Sequence, residues 1–418
     1  MSDFLPVQQQ LATLTRGAVD IHVATELEQL LTRSRETGTP LRVKAGFDPT
    51  RPDLHLGHGV LLEKLAQFQR LGHTAILLVG DFTAMVGDPT GASEARPRLT
   101  RDDVRAAAQT YTSQAFRILD AAATEIRHNS EWLDALAPGD ILELMAQMTV
   151  SRMLERSDFS ARFSDHRAIH MHEFLYPLLQ GYDSVALRAD VELGGTDQLF
   201  NLMVGRDIQP RYGQKGQCVL TVPLLEGTDA RVEAGVIVGK KMSKSAGNYI
   251  GLQEAPAEVF RKAMQIDDKV IWRYFELLSK ETSESISAMK AECAAVGGEA
   301  RPYKERFARE IISRFHSEAD ADAAARAFAT TYSEGDVPAD VAEFDVPTEG
   351  ATLWIAKALS AAGLVKSTGE GKRMVEQGGV ELDRSQVRDA QTQLQKGTRY
   401  LLRVGSKNRR FAYVRVTG

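Results

Sequence analysis

Two histidines three residues apart constrain this chain more than any other feature. They lie in Thr50-Arg51-Pro52-Asp53-Leu54-His55-Leu56-Gly57-His58. Upstream, Leu41–Phe47 is an apolar-rich run that predicts a buried strand; downstream, Val60, Leu61, Leu62, Leu65, Phe68 and Leu71 recur at helical spacing. The pair therefore stands where a parallel strand hands over to a helix. Such a junction attracts anions, because the first helical amides lack internal partners and the helix dipole favours negative charge. Two imidazoles there point to phosphate. A metal pair is the competing reading, but it lacks a third ligand at suitable spacing, and an incidental pair is the bland one.

The remaining chain repeats this alternation. Strands are predicted at Thr74–Val79, Thr124–Arg127, Leu187–Leu193 and Cys218–Val222. Helices are predicted over about Ile21–Thr37, from the cap Thr100 to about Ala123, over Glu131–Arg156, and after Thr196. Alternating strands and helices imply an α/β class with a doubly wound parallel sheet to about residue 225. After Gly247 the pattern is helical: Pro256–Gln265, Lys269–Leu278, Ser283–Ala295 and one long stretch, Pro302–Thr331. Residues 333–350 read as a polar linker. The tail predicts helices over Leu353–Ala361 and after Ser367, a turn at Gly378-Gly379, and a hairpin of Arg399–Val404 with Arg410–Val416.

Charge divides the chain in the same place. From Ala351 onward there are 13 Lys and Arg against 5 Asp and Glu, a net +8, so with −5 overall the rest carries −13. A basic tail on an acidic body fits an anionic partner, and equally a solvated basic surface. No membrane span or signal peptide is legible, and two cysteines without metal-type spacing, Cys218 and Cys293, fit a reducing cytoplasm.

A second constellation is Gly239-Lys240-Lys241-Met242-Ser243-Lys244-Ser245. Alone it reads as an exposed basic loop. It is not a phosphate-binding P-loop, since Gly235 stands one residue too close and no strand leads into it. No G-x-G-x-x-G run follows a strand, which argues against a dinucleotide cofactor.

The order of strand, His-x-Gly-His, helix and then Lys241-Met242-Ser243-Lys244-Ser245 resembles the class I aminoacyl-tRNA synthetases. Further stretches resemble the bacterial tyrosyl-tRNA synthetases in particular: Gly46-Phe47-Asp48-Pro49-Thr50, Val86-Gly87-Asp88-Pro89-Thr90-Gly91, Tyr176 to Asp183, and Gly194-Gly195-Thr196-Asp197-Gln198. The resemblance covers the whole chain. It implies a Rossmann-like catalytic domain over 1–246, an α-helical anticodon-arm-binding domain over 247–335, a linker over 336–350, and a small basic α+β RNA-binding domain over 351–418.

It also implies substrates and roles. L-tyrosine would be activated with ATP, carried with Mg2+ as the substrate complex, and the tyrosyl group passed to the 3′ end of tRNA(Tyr), with no tightly bound protein metal. Thr50, His55, His58, Lys241 and Lys244 would be catalytic. Gly46, Asp48, Gly57, Gly195, Asp197, Met242, Ser243 and Arg96 would join Lys244 at ATP. Lys44, Asp88, Tyr176, Gln180, Asp183 and Gln198 would hold tyrosine. Lys372, Arg373, Arg409 and Arg410 would meet tRNA. A cytoplasmic homodimer is implied, joined through about 131–163.

Two positions depart from the resemblance. Lys44 stands where many of these enzymes have a tyrosine that helps bind the phenol hydroxyl, and a lysine there would pair with Asp183 or another carboxylate. Ala92 replaces a frequent lysine, leaving Arg96 or Arg98 as stand-ins. A tryptophanyl synthetase shares the implied fold, but Asp183 and the basic tail argue against it. A non-catalytic RNA-binding relative would not need intact His55, His58, Lys241 and Lys244.

Overall fold

The structure, a computed structural model, describes residues 4–49, 53–90, 99–295, 297–332, 341–383, 385–405 and 410–417. Thr50, Ala92, Arg96, Arg98 and Arg409 lie outside the described residues. The chain divides into two compact units, Met1–Asp322 and Ala323–Gly418.

In the first unit six strands form one sheet: β1 (Ile21–His22), β2 (Arg42–Phe47), β3 (Thr74–Val79), β4 (Thr124–His128), β5 (Val191–Gly195) and β6 (Cys218–Val222). Their order is β1-β6-β5-β2-β3-β4, parallel from β6 to β4, with β1 antiparallel at the edge. β3 and β6 read as largely apolar runs, as strands covered by helices do; all five residues of β6 are buried. The chain runs outward from β2 through β3 to β4, then returns to β5 and β6 on the other side. That reversal leaves a crevice at the carboxyl ends of β2 and β5, the place where open α/β sheets take ligands.

The helix Leu56–Arg70 follows β2 and buries Leu56, Val60, Leu62, Leu65 and Phe68. Behind it lies the helical region, with Pro256–Gln265, Ile271–Leu278, Ser283–Ala295 and Arg301–Phe315. Arg314 from that region pairs with Glu63, so the back of the site helix is tied to it.

Several expected bounds move. Ile21 and His22 are not helical: they pair with Leu220 and Val219, and the helix runs over Ala24–Thr37. The helix after Thr100 ends at Ala115, with a single 3-10 turn at Ala121–Ala123. Leu187 ends the helix Leu175–Leu187, Arg188 turns left-handed at φ 49°, and β5 begins only at Val191. The long stretch Pro302–Thr331 breaks at His316, after which Ser317 Oγ accepts from Asp320 N at 3.1 Å to start the helix Glu318–Tyr332. A short hairpin, β7 (Arg231–Glu233) with β8 (Val236–Val238), precedes the Lys241–Ser245 loop.

The second unit holds β9 (Glu343–Pro347), β10 (Thr352–Trp354), the helices Ile355–Ala361 and Thr368–Glu376, β11 (Val380–Leu382), β12 (Ser385–Val387), β13 (Gln393–Gln395), β14 (Arg399–Val404) and β15 (Arg410–Thr417). Leu353, Leu359, Val375, Leu402 and Val414 belong to its core. Its main sheet has the order β12-β11-β14-β15-β9. Part of the expected linker is therefore a strand: β9 pairs parallel with β15, and Glu343 binds Arg415 at 2.9 Å and Arg399 at 3.2 Å. Among the described residues no helix is long and apolar enough to cross a membrane.

Candidate active site

A cavity of about 520 Å³ opens at the strand reversal. Every described residue expected at either substrate lines it. Lys44, Gly46, Asp48, His55, Gly57 and His58 come from β2 and the helix start; Asp88 follows β3; Tyr176, Gln180 and Asp183 share one face of the helix Leu175–Leu187. Gly195, Asp197 and Gln198 follow β5, and Lys241, Met242, Ser243 and Lys244 close the opposite side.

The two histidines build the helix start. His55 Nδ1 accepts from Gly57 N at 3.1 Å, and His58 Nδ1 accepts from His55 N at 3.2 Å. Both Nδ1 atoms are acceptors, so each neutral ring carries its proton on Nε2. Burial, helped by the other histidine and by Lys244 and Lys241, lowers His55 to about 2; burial and the two lysines lower His58 to about 4. At neutral pH the pair is two uncharged N–H donors, not two cations. Gly57 is required locally, because a Cβ there would meet the His55 ring at 2.9 Å.

The Lys241–Ser245 loop reaches this start from almost two hundred residues away. Leu56 N donates to Ile250 O at 2.9 Å, and Leu252 N to Leu54 O at 3.0 Å. Met242 is buried and its N–H donates to Leu225 O at 2.8 Å; Ser243 N donates to Asn248 Oδ1 at 2.9 Å. The base of the loop is thus anchored while its cations rest on acids: Lys241 Nζ on Asp197 at 3.0 Å, and Lys244 Nζ on Asp53.

The other end of the cavity is acidic. Asp183 accepts from Trp132 Nε1 at 2.9 Å and from Asn129 Nδ2 at 3.2 Å. Burial lifts it to about 7, against the lowering by Lys44. Asp48 lines the cavity; burial lifts it to about 7 as well, although Thr83 Oγ1 and Tyr176 OH both donate to it at 2.8 Å. Asp48, expected among nucleotide ligands, is thus tied to Tyr176 of the amino-acid group. Asp88 accepts from Gln198 Nε2 at 2.9 Å and from Thr90 Oγ1 at 2.6 Å.

Lys44 pairs with neither Asp183 nor an open ligand position. Its fully buried Nζ lies 3.1 Å from Glu192 Oε1 and 3.2 Å from Gln180 O. Glu192 was missed by sequence reasoning, as were Trp132, Asn129 and Thr83. A signal existed for Glu192: a glutamate in the middle of a buried strand needs a cationic neighbour, and Lys44 is its register partner across β2 and β5. Among the described residues no group of three or more His, Cys, Asp or Glu is arranged to hold a metal ion.

Residues 36–333 match the family of tRNA synthetases class I (W and Y), and residues 353–399 match the S4 domain. The chain belongs to this class I synthetase family. The synthetase is 50% identical over 412 residues to the tyrosine–tRNA ligase of Bordetella pertussis, covering 99% of this chain and 97% of that one. It is 49% identical to the tyrosine–tRNA ligase of Nitrosomonas europaea, covering 98% and 96%. Its fold is shared with the tyrosyl-tRNA synthetase of Archaeoglobus fulgidus, solved with L-tyrosine, at a TM-score of 0.60 and 23% identity over 77% of this chain and 99% of that one.

Proposed function

We propose that this synthetase is a tyrosine–tRNA ligase: it joins L-tyrosine and ATP into tyrosyl-adenylate and pyrophosphate, then passes the tyrosyl group to the 3′ end of tRNA(Tyr). The observation that carries this reading is the buried Asp183 at the foot of the cavity, aimed by Trp132 and Asn129. Phenylalanine brings no hydroxyl to this acceptor and forgoes a hydrogen bond to a charged group, worth ~1.5–3 kcal/mol. Tyrosine-dependent ATP–pyrophosphate exchange tests it. No exchange with tyrosine overturns the reading; exchange with tryptophan alone reassigns the substrate.

In the first step a tyrosine carboxylate oxygen bonds to the α-phosphorus and the α–β bridge bond breaks. The carboxylate is already ionised, so no general base is needed. Positioning and charge stabilisation at the departing pyrophosphate do the work. His55 and His58 supply neutral donors on one side, with Thr50 beside them in sequence; Lys241 and Lys244 supply positive charge on the other, and Arg96 adds to it. Gly46, Gly57 and Gly195 admit the nucleotide closely, Asp197 takes the ribose, and Asp48, Met242 and Ser243 complete that half. Magnesium enters with the triphosphate as substrate.

Asp88, Tyr176 and Gln180 take the α-ammonium, with Gln198 beside them. In support, Gln180 Oε1 is buried and has no partner among the described residues. Lys44 acts from below the pocket.

The domain reading is 1–246 for catalysis, 247–335 for the anticodon arm and 351–418 for RNA, the last taking in β9 from the stretch 336–350 that precedes it. Lys372 and Arg373 are exposed on the helix Thr368–Glu376, Arg410 is exposed at the start of β15, and Arg409 precedes it. Converting Lys372, Arg373 and Arg410 to Gln should lower the slope of log affinity against log salt for tRNA by roughly 2, at about 0.7–0.9 per lost phosphate contact, with pyrophosphate exchange intact. An unchanged slope in a filter-binding titration would give the tail another role. Substitution is a better probe than truncation at 350, which would leave β9 without β15.

The protein works in the cytoplasm as a homodimer. Leu142, Val150 and Phe163, at 68%, 60% and 63% exposed, are large apolar side chains open to solvent in the expected interface segment. Phe163→Glu should give a monomer in sedimentation at micromolar concentration; an unaltered dimer would move the interface elsewhere.

A further inference from the structure

Arg156 lies outside every motif considered above. It directly precedes the helix Ser157–Ser164 and is only 6% exposed. A buried guanidinium needs a role for its donors. Nε and Nη2 bind Asp158 at 2.8 Å each, and the charge sits over the Phe159 ring at 5.0 Å. The remaining donors lead to the cavity by two arms.

In the first arm, Arg156 Nη2 donates to Thr90 Oγ1 at 2.8 Å, and Thr90 Oγ1 donates to Asp88 Oδ1 at 2.6 Å. In the second, Arg156 Nη1 donates to Asn201 Oδ1 at 3.0 Å, Asn201 Nδ2 to Gln198 Oε1 at 2.9 Å, and Gln198 Nε2 to Asp88 Oδ2 at 2.9 Å. The arms close into a ring, with Arg156 Nη2 3.6 Å from Asp88 Oδ1.

Polarity in this ring runs one way. Arginine only donates and an ionised carboxylate only accepts. The fork therefore fixes the Asn201 carbonyl toward itself, which turns the Asn201 amide toward Gln198, which turns the Gln198 amide toward Asp88. The Thr90 hydroxyl is oriented in the same sense. Asp88 draws the Gln198 amide and the Thr90 hydroxyl toward itself from one end; Arg156 closes the other end, holding Asn201 and Thr90 in place so that the carboxylate and the Gln198 amide keep one position.

The geometry points to Arg156 as a positioning residue for amino-acid binding: its guanidinium orients Asp88 and Gln198 toward the α-ammonium group through two hydrogen-bonded arms. This rests on the proposed role of Asp88. Arg156 itself does not line the cavity or touch the substrate.

Equilibrium dialysis on the full chain tests it with three ligands: L-tyrosine, tyramine (ammonium without carboxylate) and 3-(4-hydroxyphenyl)propanoate (carboxylate without ammonium). Arg156→Gln should weaken tyrosine and tyramine about tenfold and the propanoate less than about twofold, the effect of one mis-set hydrogen bond to a charge. Arg156→Lys keeps the charge but cannot fork, and should lose affinity in the same pattern. Should Arg156→Gln not fold, Thr90→Ala breaks one arm at a half-buried position and should give a loss of about threefold, again confined to the ammonium ligands. Equal weakening of all three ligands, full tyrosine affinity in Arg156→Lys, or no loss with Thr90→Ala each overturns the proposal. An unaltered protein that binds no tyrosine would instead overturn the reading of the pocket.

Discussion

Lys244→Met should lower the rate of tyrosine-dependent pyrophosphate exchange by about a hundredfold to a thousandfold, the usual effect of removing one preorganised group from a developing anion. Tyrosine affinity should not change, because Lys244 belongs to the loop half of the cavity and Asp183 to the opposite half. The expectation follows from how the loop is held. Met242 and Ser243 are anchored to Leu225 and Asn248, so the cations are delivered from a fixed base. Lys241 and Lys244 meanwhile rest on Asp197 and Asp53, ion pairs with at least one half-exposed member. Such pairs contribute ~0–1 kcal/mol, so a triphosphate displaces them at little cost.

The neutral histidines do not compete for those lysines or repel them. Burial first, and both lysines after it, lower the histidines' affinity for protons, so the pair meets an incoming phosphate as uncharged donors. Asp53→Asn is the matching control: it releases Lys244 and should lower KM for ATP. A Lys244→Met variant with weakened tyrosine affinity and an unchanged rate would remove the loop from the pyrophosphate side.

What the sequence revealed follows from the range of the forces involved. β3, β6 and the helix Pro256–Gln265 fall where expected, because continuous apolar runs and a proline at the first helical turn are local signals. β1 was misread because only its pairing with Leu220 makes Ile21 a strand residue. Leu187 was misread because an apolar residue suits a helix end and a strand start equally. In the site, the two motif stretches and the helix face of Tyr176, Gln180 and Asp183 were legible because their chemistry is carried by spacing. Trp132, Asn129 and Arg156 were not: each acts on a partner 45–66 residues away, and nothing around it in sequence announces the pairing.

Lys44 joins the legible part of the site to the hidden part, and its replacement should have the largest effect on stability. Lys44→Met leaves Glu192 buried without its cation, and breaking one half of a buried pair typically costs ~3–5 kcal/mol. Urea unfolding should show that loss. The double variant Lys44→Met with Glu192→Gln should recover much of it, since Ser184 at 3.0 Å and Gln217 can still bond a neutral amide there. A fully additive double variant would mean that the pair is not the cause.

The same substitution should change the pH dependence of tyrosine binding, through Asp183. Around that carboxyl stand Lys44 from β2, Glu192 from β5, Asp48 beyond β2, and the donors Trp132 and Asn129. Lys44 is the cation that lowers it; burial and Glu192 raise it, to about 7. On the role proposed for Asp183, its ionised form accepts the phenol hydroxyl, so tyrosine affinity should rise as pH increases through about 7. Removing Lys44 takes away the lowering influence, so the rise should move to higher pH while the maximal affinity at alkaline pH stays near that of the unaltered protein. With recognition of the hydroxyl resting on Asp183 as proposed, the electrostatic influence of Lys44 should set the pH at which Asp183 can perform it.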